Sequence, residues 1–166
     1  MAKQNEGKII KVLIGQISLS RSPNVLQSVL GSCVGVCLYD QKQKLGGLAH
    51  ILLPNSDGRN TGELPGKYAN LAIPVFYEAI LKHGASEKRI RAKIAGGAHM
   101  FANTVGLVKQ NIGQLNVEAV TNSLSKLNIP IVSTETGGSS GRKVEFNLTT
   151  FELHIENFSS SGTKII

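Results

Sequence analysis

Apolar positions come first in short, β-branched runs along this chain. Residues 8–19 carry Ile9, Ile10, Val12, Leu13, Ile14, Ile17 and Leu19 and predict one or two strands. A turn over Ser20–Asn24 leads to a strand over Val25–Leu30, which runs into Gly31-Ser32-Cys33. A further strand follows over Val34–Tyr39, then a polar turn over Asp40–Lys44 and a strand over Lys44–Leu53 that Pro54 ends. Asn55–Gly66 is a polar loop of about twelve residues, close to the length at which loops carry function. The period then changes. Tyr68, Leu71, Ala72, Val75, Ala79 and Ile80 recur at three- and four-residue steps and predict a helix over Lys67–His83. Pro74 is expected to kink or restart it, and Gly84 to stop it. Arg91–Ala95 predicts a short strand before Gly96–Phe101, and Gln114–Leu127 a second helix with Val117, Val120, Leu124 and Leu127 on one face. After a strand over Ile129–Thr134 and a Gly/Ser loop over Glu135–Gly141, two alternating runs flank Thr149-Thr150. They are Val144, Phe146, Leu148 and Phe151, Leu153, Ile155, and they predict a hairpin. The tail from Ser159 is small and polar and is expected to fray. With no repeat or linker in view, residues 1–166 read as one α+β domain of seven to nine strands and two helices, mainly antiparallel.

Composition narrows the class. A chain of 166 residues, 41% hydrophobic and 17% charged, suits one soluble domain with a real core. No run approaches the ~18 apolar residues of a membrane helix, so membrane insertion is not expected. The polar start Met1–Lys8 lacks the apolar core of a signal peptide, which leads us to expect a cytoplasmic protein. Cys33 and Cys37, four residues apart, make no disulfide framework and fit a reducing compartment. The net charge of +7 is scattered. Its densest cluster, Lys82, Lys88, Arg89, Arg91 and Lys93, has no interleaved aromatics, so an acidic protein partner suits it at least as well as nucleic acid, which is not expected.

Candidate chemistry lies around Cys33. It stands among small residues at the head of an apolar run, and His50 follows seventeen residues later inside another. Cysteine is a strong nucleophile as the thiolate, and a nearby imidazole can take its proton. If the two runs are neighbouring strands, the pair meets and the chain is a cysteine hydrolase. Gly31 and Gly35 let the backbone approach a substrate closely, and the small residues beside the thiol leave room for a carbonyl and for backbone donors to its oxyanion. The plainer alternatives are a core cysteine, as Cys37 between Val36 and Leu38 reads, and a core histidine. His83 and His154 read as surface residues, while His99, in a Gly-rich turn, is a candidate contact residue. Cys33, Cys37, His50 and His99 lack the paired close spacing of zinc ligands, which leaves a small zinc-binding protein as a remote reading. No metal or cofactor is called for.

Several stretches together resemble one family: Leu30-Gly31-Ser32-Cys33-Val34, Ala49–Pro54, Gly66-Lys67-Tyr68-Ala69, Lys93–Phe101, Asn111–Asn116 and Thr136-Gly137-Gly138. In this order they are similar to the CheD family, the chemoreceptor glutamine deamidases of bacterial and archaeal chemotaxis. The resemblance implies a layered β-sandwich with helices outside, similar to the catalytic domain of the cytotoxic necrotizing factor toxins. It implies hydrolysis of glutamine side chains on methyl-accepting chemotaxis proteins, and in some members of methyl esters. The family's nucleophile falls on Cys33 and its base on His50. Its third residue, usually a threonine five or six places before the cysteine, falls on Ser28 or Gln27. Strand alternation places Gln27 on the face of Cys33 and Ser28 on the other, unless a bulge near Gly31 reverses them. The family's partner CheC, a phosphatase of phosphorylated CheY, covers the same site. Met100 and Phe101 then read either as an exposed anchor for such a partner or as ordinary core. A weakly catalytic or non-catalytic adaptor binding CheC or receptors through this face is the alternative reading.

Overall fold

The computed structural model describes residues 6–100 and 110–166. Among these, ten strands form two five-stranded sheets. The elements are β1 (Ile9–Lys11), β2 (Ile17–Arg21), β3 (Val25–Leu30), β4 (Val34–Asp40), β5 (Leu45–Ile51), α1 (Ala69–Lys82), β6 (Arg91–Gly96), α2 (Ile112–Lys126), β7 (Ile131–Thr136), β8 (Arg142–Asn147), β9 (Leu153–Asn157) and β10 (Thr163–Ile165). The outer sheet runs β1-β3-β8-β9-β10 and the inner sheet β2-β5-β4-β6-β7. Pairing is antiparallel except for β1 with β3 and β6 with β7. The α+β layered architecture expected from the sequence is therefore the observed one.

Side-chain alternation creates the layers. Leu26, Leu30, Val144, Phe146, Leu153 and Ile155 of the outer sheet pack against Cys37, Tyr39, Leu48 and Ala95 of the inner sheet. The other face of the inner sheet, with Val34, Val36, Leu38, Ala49 and Ile51, packs under α1 and α2. Because β4 and β5 are covered on both sides, every residue in them is buried.

Helix α1 continues through Pro74 as one element, so the helix does not restart there. Its buried face is Ala69, Ala72, Ile73, Phe76 and Ile80, while Leu71 and Val75 of the predicted stripe are exposed. The reason lies in β5: the Phe76 ring occupies the space over Gly47, where a Cβ would fall 2.5 Å from Cε2. The chain end also departs from expectation. Residues 163–165 pair with β9, and Leu153 and Ile166 exchange backbone hydrogen bonds of 2.9 and 3.0 Å, so this segment is an edge strand and not a frayed tail.

Gly47→Ala forces the Phe76 ring from its seat. We expect it to cost about 1–3 kcal/mol, read as a lower urea midpoint at unchanged slope. Val75→Ala, at an exposed position on the same helix as Phe76, serves as the control and is expected to lose less.

Candidate active site

The register of β4 with β5 places Gly35 opposite His50 and Val34 opposite Ile51. Cys33, just before β4, joins Cys37 and Leu48 in the layer between the sheets. His50 faces the same layer, since its ring reaches Val12 and Ser28 of the opposing side. The cysteine and histidine are thus diagonal neighbours on one face, and the residue directly across from His50 is a glycine with no side chain to come between them.

His50 is 2% exposed. Its Nδ1 lies 3.2 Å from the Val12 carbonyl oxygen and 3.5 Å from Ser28 Oγ, while Ser28 Oγ donates to the same carbonyl at 2.5 Å. A carbonyl only accepts, so Nδ1 carries the proton. In the neutral ring Nε2 then holds a lone pair, and Nε2 is buried with no hydrogen-bond partner among the described residues. Burial holds the imidazole below its ordinary pKa, outweighing the opposite pull of the Val12 hydrogen bond. Burial likewise pushes the Cys33 thiol up, against a smaller lowering from its own backbone N–H. Both shifts favour the uncharged forms, a thiol and a neutral imidazole.

The loop Gly31-Ser32-Cys33 is held from two sides. Gly97 N–H donates to Cys33 O at 2.8 Å, and Ala98 N–H to Gly31 O at 2.9 Å. Gly96 has φ +102°, and a Cβ there would meet Cys33 O at 2.3 Å, so only glycine fits. From the helix layer, the Asn116 amide donates to Ser32 O and Leu52 O, each at 3.0 Å. Buried Arg142 binds the Glu135 carboxylate and the carbonyls of Glu135 and Gly137, shaping the loop whose Gly138 carbonyl accepts from His99 N–H at 2.8 Å.

The third-residue alternatives separate clearly. Ser28 is buried at His50, whereas Gln27 points outward and donates to Glu145 at 2.7 Å. Alternation misassigned them because Gly31-Ser32-Cys33 carries the chain from the outer sheet to the inner one, and parity along β3 does not survive that crossing. Ser32 and Gly31 are half-buried beside Cys33, and His99 is half-buried. Met100 is 42% exposed and lies against Gly31, where a Cβ would be 3.4 Å from its Cγ. Phe101 lies outside the described residues. Two groups escaped the sequence reading. The Val12 carbonyl has no sequence signal, being backbone. Asn116 had one: a polar residue four before Val120 and eight before Leu124, on the buried stripe of α2. Among the described residues, no three His, Cys, Asp or Glu side chains gather as a metal-holding group.

A family model described as CheD chemotactic sensory transduction matches residues 52–157. The chain belongs to the CheD family. A Bacillus subtilis relative named chemoreceptor glutamine deamidase CheD is 42% identical over 165 residues, covering 97% of this chain and 98% of that one. A Bacillus velezensis relative of the same name is 40% identical over 162 residues, covering 96% and 98%. A Methanococcus vannielii relative, named probable chemoreceptor glutamine deamidase CheD, is 43% identical over 141 residues, covering 84% and 89%. Among solved structures, the Bacillus licheniformis hypothetical protein YfiH overlaps at TM-score 0.43 and 18% identity, covering 83% of this chain and 61% of that one. The family match begins two residues after His50, while the two Bacillus relatives cover nearly the whole chain.

Cys37 is fully enclosed and burial raises its thiol too, whereas Cys33 keeps 7% of its surface open at the layer's edge. Iodoacetamide on the native protein is expected to modify Cys33 well before Cys37, at a rate that climbs as pH rises toward the elevated thiol pKa. Peptide mapping of a time course checks the order.

Proposed function

We propose that this protein deamidates glutamine side chains of chemoreceptors, with Cys33 as nucleophile and His50 as general base and acid. The observation that carries the reading is the buried His50 ring, its Nδ1 proton committed to Val12 and its Nε2 lone pair without a partner among the described residues, on the face it shares with Cys33. The names of the relatives supply the substrate class. The balanced reaction is short. His50 Nε2 takes the thiol proton as sulfur bonds to the glutamine side-chain carbonyl carbon. The tetrahedral oxyanion collapses, the C–N bond breaks, and His50 returns the proton to the leaving nitrogen, releasing ammonia. Water, losing a proton to His50, attacks the thioester. The carboxylic acid leaves, and the thiolate regains its proton from His50. The same cycle cleaves a methyl ester, with methanol as leaving group, because it asks only for a carbonyl and a leaving group that accepts a proton.

In this reading Ser28 orients His50 and Gln27 does not. Gly31 and Ser32 precede Cys33, Met100 lies against Gly31 with His99 beside it in the chain, and Met100 offers an apolar contact for a receptor helix or for a CheC-type partner covering the same site. The net charge of +7 suits an acidic helix. The setting of such a reaction is the cytoplasm, where receptor signalling domains lie. No helix among the described residues is long and apolar enough to cross a membrane.

The test is incubation with a receptor cytoplasmic fragment, with glutamine-to-glutamate conversion mapped by mass spectrometry. Conversion is expected, and it is expected to vanish in Cys33→Ala and His50→Ala. Ser28→Ala is expected to lower kcat about tenfold, the worth of one hydrogen bond of about 1.4 kcal/mol, while Gln27→Ala leaves it unchanged. Conversion that persists in Cys33→Ala contradicts the mechanism, and binding without conversion supports the adaptor reading instead.

A further inference from the structure

Helix α2 reaches into the site through one side chain, Asn116, which is 0% exposed. Its Nδ2 donates to Ser32 O, in the residue before the nucleophile, and to Leu52 O, two residues beyond His50. These two carbonyls belong to different segments, the crossing loop before β4 and the end of β5. The amide orientation is fixed by chemistry: rotated by half a turn, Oδ1 would face both carbonyl oxygens and neither bond could form. Oδ1 is itself buried without a partner among the described residues. A buried amide acceptor left unsatisfied costs stability. An apolar residue in the stripe of Val120 and Leu124 avoids that cost but takes the donor away from Ser32 O and Leu52 O, so the asparagine is there for these two carbonyls.

The approach of α2 is itself enabled locally. Gly113, one turn before Asn116, lies so close to the Gly97-Ala98 segment that a Cβ would meet Gly97 O at 2.3 Å and Ala98 O at 2.4 Å. The same segment receives the carbonyls of Cys33 and Gly31. The helix, the glycine segment and the nucleophile loop are therefore one contact.

We propose that Asn116 is a positioning residue, a two-carbonyl clamp that sets the distance between Cys33 and His50. The proposal rests on reading those two side chains as the reacting pair. The Asn116 hydrogen bonds go to backbone carbonyls next to the pair, and the residue acts by holding the backbone on which each is mounted. Reacting groups lose rate steeply when displaced, about a hundredfold for about 1 Å, and the clamp acts on that coordinate.

The test is a double-mutant cycle on Cys33 alkylation by iodoacetamide, which needs no receptor. Four chains are compared across pH, each below its melting temperature: wild type, His50→Ala, Asn116→Ala and the double variant. In the wild-type background His50→Ala is expected to slow Cys33 alkylation near neutral pH about tenfold; in the Asn116→Ala background the same change is expected to alter it less than about twofold, because the pair is already parted. A role in folding alone would lower the melting temperature and leave the His50 effect intact, and that result overturns the proposal. Asn116→Ser carries the same comparison if the alanine chain does not fold, and failure of both to fold assigns Asn116 to the fold and overturns it too. Absence of any His50 effect in the wild-type background instead defeats the reacting pair itself. Absence of receptor conversion with the cycle as expected leaves the clamp standing and removes only the substrate assignment.

Discussion

The Val12 carbonyl decides which nitrogen of His50 carries the proton, and most of what the site can do depends on that. An imidazole has two nitrogens and, when neutral, one proton. Val12 O accepts from Nδ1, with Ser28 Oγ beside it, so the lone pair resides on Nε2. Burial then keeps the ring neutral. The combination is a base whose free nitrogen faces the layer that contains Cys33, at no cost in proton rearrangement. The carbonyl belongs to the stretch between β1 and β2, and Val12 N–H is itself bonded to Gln27 O at 2.8 Å. The outer sheet therefore orients a residue of the inner sheet, and the sandwich is the mounting for the pair.

The second constraint is the passage of the chain between the sheets. Gly31-Ser32-Cys33 is too short to form structure of its own, and three carbonyls in succession are taken up by neighbours: Gly31 O by Ala98, Ser32 O by Asn116 and Cys33 O by Gly97. Backbone so fully engaged has little freedom, which suits a nucleophile. Burial at the same place pushes the thiol up, which favours its protonated form at rest. In the proposed reaction the thiol then gives up its proton only to His50, as it meets a bound carbonyl.

Much of this was legible in the sequence. The strand carrying Val34–Tyr39, the strand carrying His50, the loop over Asn55–Gly66 and the Val144–Ile155 hairpin follow from alternation and turn chemistry, and the cysteine and histidine stand out by type. What was not legible depended on contacts between distant segments. Alternation along β3 faced Gln27 inward relative to Cys33, but the chain changes sheets at Gly31, and Ser28 is the inward residue. Periodicity in α1 could not tell Leu71 and Val75 from the buried face, because that choice is made by the vacant space over Gly47 that receives Phe76. The polar tail pairs at its end because β9 leaves an edge for residues 163–165. Backbone acceptors such as Val12 O leave no trace in side-chain patterns at all.

Nitrogen-15 NMR of the His50 ring in the free protein reads the central claim directly. At neutral pH it is expected to show a protonated Nδ1 and a bare Nε2, and to titrate with a midpoint below the ordinary imidazole value of 6.5. A proton on Nε2, or an imidazolium already formed at pH 7, would contradict the account.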